Sequence, residues 1–124
     1  QEYGFFPNND INILRCISKY ELKYQSQPTA LKISKQLNIT QATITPMIDR
    51  LVKNNYIHRI VSPIDKRAKL LSITQKGRDL LSQSKSQEKE QLSKLVSYLG
   101  EEDTLECIRL LKKVSRYLGK NNET

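Results

Sequence analysis

The chain has 124 residues, 37% of them hydrophobic and 27% charged, with 4 Gly, 4 Pro and 2 Cys, which is one domain's worth of sequence and excludes a collagen-like repeat, a disulfide scaffold and a wholly disordered tail. Apolar runs never exceed two residues, as at Leu70-Leu71 and Ile60-Val61, whereas a membrane helix needs about 20, so neither a membrane span nor a signal peptide is expected. The net charge of +8 points to a polyanion, nucleic acid before membrane, although solubility alone accounts for such a charge as readily.

Asn8, Asn9 and Asp10 offer an N-cap after Pro7, and Ile11, Leu14 and Ile17 follow at helical spacing. That helix is expected to reach Tyr20 or Tyr24 and to decay in Gln25-Ser26-Gln27-Pro28. Thr29 caps a short second helix whose inner face is Ala30, Ile33, Ser34 and Leu37. Asn38, tolerant of the left-handed conformation, ends it. Thr40 caps a third helix with Ile44, Met47, Ile48 and Leu51 inward, ended by Asn54-Asn55. Pro46 leaves two readings open. It bends this helix or loosens its first turn, or the regular helix starts near Thr45 with Pro46 at its first position.

The period then changes. Tyr56–Val61 and Lys69–Ile73 are β-rich, and Ser62–Ala68 between them is a polar turn with a proline, so a hairpin with a basic tip is expected. Thr74 caps a long helix with an early apolar patch at Leu80-Leu81. Residues 82–91 are wholly polar and read as a solvated, stalk-like stretch. Leu92, Leu95, Val96 and Leu99 resume the apolar spacing, and Gly100 breaks the chain. Glu101, Glu102 and Asp103 suit the start of a last helix. Leu105, Ile108, Leu111, Val114 and Leu118 run along that helix, and 120–124 is expected to be a frayed tail.

A short helix, a tight turn, a second helix with polar outer residues and a basic hairpin make a winged helix-turn-helix. The fold class expected is therefore mostly α with a small β-hairpin wing and a C-terminal helical lobe. Charge supports the placement. Residues 29–75 hold eight bases against two acids, a net +6. On the third helix Gln41, Ala42, Thr43, Thr45, Pro46, Asp49 and Arg50 lie off the apolar stripe. Gln pairs with adenine edges, Arg with guanine, and Ala or Thr methyls meet the thymine methyl. Thr29 and Thr40, with the amides at helix starts, suit phosphates. Lys66 and Arg67 at the hairpin tip reach phosphates or the minor groove, and Asp65 caps the turn, orients Arg67, or does both.

Residues 29–77 resemble the MarR family of bacterial transcription regulators. The signatures are Asp49-Arg50-Leu51 in the third helix, Asp65-Lys66-Arg67 in the wing and Ile73-Thr74-Gln75-Lys76-Gly77 at the start of the long helix. The resemblance implies a regulator, most often a repressor, that acts as a homodimer on a pseudo-palindromic operator in double-stranded DNA. It implies that Arg67 enters the minor groove while Asp65 holds it. The length is that of one domain, 1–124, and within it a DNA-binding lobe is expected at 8–75 and a dimerisation lobe at 76–119 that pairs through Leu105, Ile108, Leu111, Val114 and Leu118. The family's first helix has no counterpart here, and a chain opening on Gln1 rather than Met suggests residues upstream. Thr45-Pro46 is similar to the redox-sensing branch, but neither Cys16 nor Cys107 matches that branch's reactive position. A small anionic or phenolic effector, or a redox one, is the implied partner besides DNA, and Tyr20 and Tyr24 are candidate pocket residues beside the alternative of ordinary packing.

No other chemistry is expected. One His and two scattered Cys lack zinc spacing, nothing positions His58 in a triad, and the glycines form no phosphate loop. Neither enzyme activity nor a cofactor or metal is expected. Two cysteines without a disulfide framework suggest a reducing, cytoplasmic setting. A winged helix that binds protein rather than DNA is the alternative, and the +6 segment argues against it.

Overall fold

A computed structural model describes residues 9–122. In chain order the elements are α1 (Asn9–Tyr24), α2 (Ala30–Leu37), α3 (Gln41–Lys53), the strands β1 (Ile57–Val61) and β2 (Lys69–Ile73), and α4 (Gln75–Asn122). The fold is mostly helical with one antiparallel hairpin, as expected; Pro7 and Asn8, part of the expected first cap, lie outside the described residues. The chain divides into two compact units, one up to Gln87 and one from Glu88 onward. The division falls inside the polar stretch 82–91.

The first unit is organised by its helix ends. Thr29 Oγ1 accepts the Lys32 amide at 3.2 Å to start α2, and Thr40 Oγ1 accepts the Thr43 amide at 3.2 Å to start α3. Both helices end on an asparagine in the left-handed region, Asn38 at φ 55° and Asn55 at φ 65°. At each end two amides turn back on the last carbonyls: Asn38 to Lys35 and Ile39 to Ser34, then Asn55 to Val52 and Tyr56 to Leu51. These are Schellman motifs, with asparagine where glycine is commoner. They reverse the chain within two residues and so set the tight turn between α2 and α3 and the exit from α3 into the hairpin.

Pro46 sits inside α3, which runs from Gln41 without interruption; a helix beginning near Thr45 is therefore set aside. The proline removes the donor that would meet the Ala42 carbonyl, and Ala42 is exposed, so water can take its place. One turn away, the Thr45 hydroxyl donates to the Gln41 carbonyl at 2.7 Å.

The hairpin pairs Ile57 with Ile73, Arg59 with Leu71 and Val61 with Lys69. β1 begins one residue later than expected, because Tyr56 is occupied in the Schellman turn. A third segment, which no periodicity announces, joins the sheet: Thr29 bridges to Leu70, and the Leu71 amide donates to the Pro28 carbonyl at 2.8 Å. The core lies where these pieces meet. Ile13, Leu14, Ile17, Ile33, Ile44, Ile48, Leu51, Ile57, Leu71 and Ile73 are buried, and Leu80 and Leu81 of α4 pack against them. Each such aliphatic side chain contributes about 1.5–3 kcal/mol when fully removed from water. Glu21, its side chain only 17% exposed, ties α1 to the rest. Its carboxylate accepts the Ile73 amide at 3.1 Å and the Arg78 guanidinium at 3.1 Å.

In the second unit α4 is broken at Gly100, where φ 82° and ψ 168° are non-helical. This is the break expected, at a residue that adopts positive φ without strain. The last helical segment continues to Asn122, so 120–122 are helical where a frayed tail was expected; Glu123 and Thr124 lie outside the described residues. Among the described residues no helix is long and apolar enough to cross a membrane.

Gly77 is buried at the start of α4, and a Cβ there would press on the Tyr56 carbonyl and come within 2.8 Å of Ile73 Cγ1. Neither neighbour is a free side-chain end. Gly77→Ala is expected to destabilise the first unit by about 1–3 kcal/mol, read as a lowered midpoint in urea with an unchanged slope. An unaltered midpoint would show that the junction is looser than described.

Candidate nucleic-acid interface

The outer surface of α3 is built from polar and small side chains. Gln41, Ala42, Thr43, Thr45, Pro46, Asp49 and Arg50 are all exposed, while Ile44, Ile48 and Leu51 are buried beneath them. Three- and four-residue spacing puts the first set on the side away from the core. Thr40 is exposed at the helix start, and its hydroxyl donates to Thr43 Oγ1 at 2.9 Å while accepting that residue's amide. Thr29, half-buried, starts α2 in the same manner. The positive end of the α3 dipole therefore opens to solvent beside small polar groups.

The wing is a tied loop. Ser62, buried, accepts the Ile64 and Asp65 amides on Oγ at 3.3 and 3.2 Å, and its own amide donates to the Ala68 carbonyl at 3.0 Å. Asp65 does both things expected of it. One carboxylate oxygen accepts the Arg67 amide at 3.0 Å, which closes the turn, and the Arg67 Nε at 3.3 Å, which steers the guanidinium. Arg67 is nevertheless 93% exposed, and Lys66 beside it is exposed as well. Ile64, 96% exposed on the same loop, is an apolar residue that the charge pattern did not single out.

The arginines of the middle segment are paired with aspartates. Arg50 lies 3.6 Å from Asp10 at the start of α1, Arg59 of β1 bonds to Asp49 of α3, and Arg67 bonds to Asp65. Sequence reasoning singled out Arg50 and Arg67 but not Arg59, whose partner lies ten positions back in another element; no periodic signal joins them. Lys76 was missed too. Its Nζ donates to the Asn54 carbonyl at 2.9 Å and sits 4.6 Å from the Tyr56 ring centre, a cation on the negative end of α3.

The first unit has an open hollow of about 380 Å³, lined by α1 and by Gln36 and Leu37 of α2. Arg15, Lys19 and Lys23 line it with Cys16, Tyr20 and Tyr24. The Tyr20 and Tyr24 rings lie 4.6 Å apart, and Lys32 donates to the Tyr20 hydroxyl at 3.0 Å, a bond that holds its ammonium above the usual lysine range. Burial pushes the Cys16 thiol up, against a smaller opposing pull from Lys19. Cys107 is exposed. In the second unit Leu105, Ile108, Leu111, Val114 and Leu118 are also all exposed, as are Leu92, Leu95 and Val96.

The model of the MarR family matches residues 6–69. The chain is 30% identical over 95 residues to the HTH-type transcriptional regulator MhqR of Bacillus subtilis, an alignment covering 76% of this chain and 66% of MhqR. The chain spans about half of the next curated relative. Among solved structures, a mutant of S. aureus MepR aligns with a TM-score of 0.76 at 26% identity, covering 91% of this chain and 80% of that one. A second MepR mutant, bound to an oligodeoxyribonucleotide, aligns with a TM-score of 0.64 at 26% identity and the same coverage.

A raised thiol pKa has a direct consequence for labelling. Alkylation runs through the thiolate, so Cys16 in the folded Cys107→Ser variant is expected to react more slowly at pH 8 than in the urea-unfolded chain, with its rate rising only at higher pH. Equal rates in the two states would contradict the burial of this thiol.

Proposed function

This chain belongs to the MarR family, and from that premise we propose that it is a transcriptional regulator, a repressor, that binds double-stranded DNA as a homodimer on a pseudo-palindromic operator. One observation carries the reading. The exposed side of α3 presents Gln41, Ala42, Thr43 and Thr45 to solvent, and the same unit carries a wing whose Arg67 is held out by Asp65. A helix with small polar outer residues fits the major groove, and an arginine on a narrow loop suits the negative potential of the minor groove. The likeness to a MepR mutant solved bound to an oligodeoxyribonucleotide supports DNA as the partner.

A duplex of twofold symmetry calls for two copies, with recognition helices about one helical turn apart. The exposed Leu105, Ile108, Leu111, Val114 and Leu118 supply an apolar face for that pairing. The hollow on α1, with three cations around two tyrosines, suits a small anionic or phenolic effector. A redox effector acting through Cys16 is disfavoured, because a thiol held protonated by burial is a poor nucleophile.

Replacing Arg67 with Ala is expected to weaken binding to a selected operator duplex by about 1–3 kcal/mol and to relax its preference. Replacing Lys66 with Ala is expected to weaken every duplex alike and to lower the salt slope by about one. Titrations in which both variants bind as wild type would remove the wing from the interface. A chain ending before Gly100 is expected to sediment as a monomer where the full chain is a dimer; a truncated dimer would place the pairing surface elsewhere.

A further inference from the structure

The aspartates in the proposed interface are at odds with simple phosphate binding. Residues 29–75 contain only two acids, Asp49 and Asp65, and each holds an arginine. Asp65 is explained by its turn. Asp49 is not: it stands on the exposed side of α3, at four-residue steps from Thr45 and Gln41, where a carboxylate would be repelled by a nearby phosphate backbone. Stability does not explain it either. Its side chain is 55% exposed and that of Arg59 37%, and ion pairs so exposed contribute little to folding. What the pair does is geometric. Arg59 lies on the same side of β1 as buried Ile57 and pairs across the sheet with buried Leu71, and from that strand its guanidinium reaches over to Asp49. The bond spans recognition helix and wing, outside the core that both share.

We propose that Asp49 is a specificity-determining positioning residue, which fixes the Arg59 guanidinium between α3 and β1 so that helix and wing meet a duplex in one register. The proposal rests on the DNA-binding reading above. A guanidinium already ordered loses less freedom on binding, and that advantage is realised only where the bases and groove shape match. On a mismatched duplex the Asp49 charge remains as a repulsive element, which is how a site discriminates as well as attracts.

The full chain is titrated with its duplex selected from a random pool and with a scrambled duplex of equal length, at one salt concentration. Asp49→Asn is expected to lower the ratio of the two affinities about tenfold, with scrambled-duplex binding unchanged or tighter and the thermal midpoint unchanged. Arg59→Lys, which keeps the charge but not the planar fork, is expected to lower the ratio similarly. The double variant is expected to lose no more than either single one, since both break one bond. A ratio that Asp49→Asn leaves intact overturns the proposal, as do equal losses on both duplexes or additive losses in the double variant. A wild-type chain without preference among duplexes overturns the DNA-binding reading, and this proposal with it.

Discussion

The backbone of Tyr56 is the point on which the first unit turns. Its amide closes the Schellman motif at the end of α3 by donating to Leu51 at 2.9 Å. Its carbonyl accepts the Thr74 amide at 3.1 Å and lies 3.1 Å from the Thr74 hydroxyl, which also donates to Asn55 at 2.7 Å. Thr74 in turn starts α4 by accepting the Gly77 amide at 3.0 Å. One residue thus joins the end of α3, both ends of the hairpin and the start of the long helix. The geometry explains why residue 77 is a glycine: the carbonyl that must receive Thr74 occupies the space where a Cβ would stand. It also explains Lys76, whose cation covers the Tyr56 ring and satisfies the Asn54 carbonyl. A displacement here would move wing and helix relative to each other, and the proposed site, which uses both elements, would tolerate little of that.

From that junction outward the structure trades charge for orientation. Glu21 does so at the rim of the core, where its two bonds fasten α1 to β2 and α4; the part-buried bond from the Ile73 amide to its charged carboxylate contributes about 1.5–3 kcal/mol, and the exposed Arg78 pair adds less. Asp10, Asp49 and Asp65 do so at the surface, where the same chemistry contributes little to stability. The lysines of the middle segment, Lys32, Lys35, Lys53, Lys66 and Lys69, are exposed. That division matches what the two cations do well. An arginine fork is useful when aimed, and an ammonium on a flexible stem serves as a point charge from many positions.

Local features were legible in the sequence and contacts between elements were not. Thr29, Thr40 and Thr74 announce their helices because a hydroxyl before an apolar stripe has few other uses. Asn38 and Asn55 announce the ends because few residues accept positive φ. β2 was located at Lys69–Ile73, since a β-rich run between a proline-containing turn and a capping threonine has little freedom. Pro46 was ambiguous because proline is good at a first turn and bad inside a helix; the Thr40 cap decides for the earlier start. The Arg59–Asp49 and Arg50–Asp10 pairs depend on how α1, α3 and β1 pack, and the Thr29–Leu70 bridge is too short to carry a period. Glu21 carries no signal of its own within the sequence of α1. Only the arrival of the Ile73 amide from far along the chain gives it a task.

The second unit follows a different logic. Its apolar residues recur at helical spacing, yet Leu105, Ile108, Leu111, Val114 and Leu118 are each at least 43% exposed, and Leu111 is 62% exposed. In a unit that folded for itself alone this pattern would be wasteful, since apolar side chains left in water forgo about 25 cal/mol for each Å² uncovered. Residues 82–91 show that the chain can make a helical stretch without such side chains: no aliphatic or aromatic residue is spent there. The contrast within one element sets the apolar spacing beyond residue 91 apart, and the proposed pairing of two copies gives that spacing a use. A face of that kind also ties folding to association. Under the proposed pairing the unit gains its full stabilisation only when covered, and its stability then rises with protein concentration.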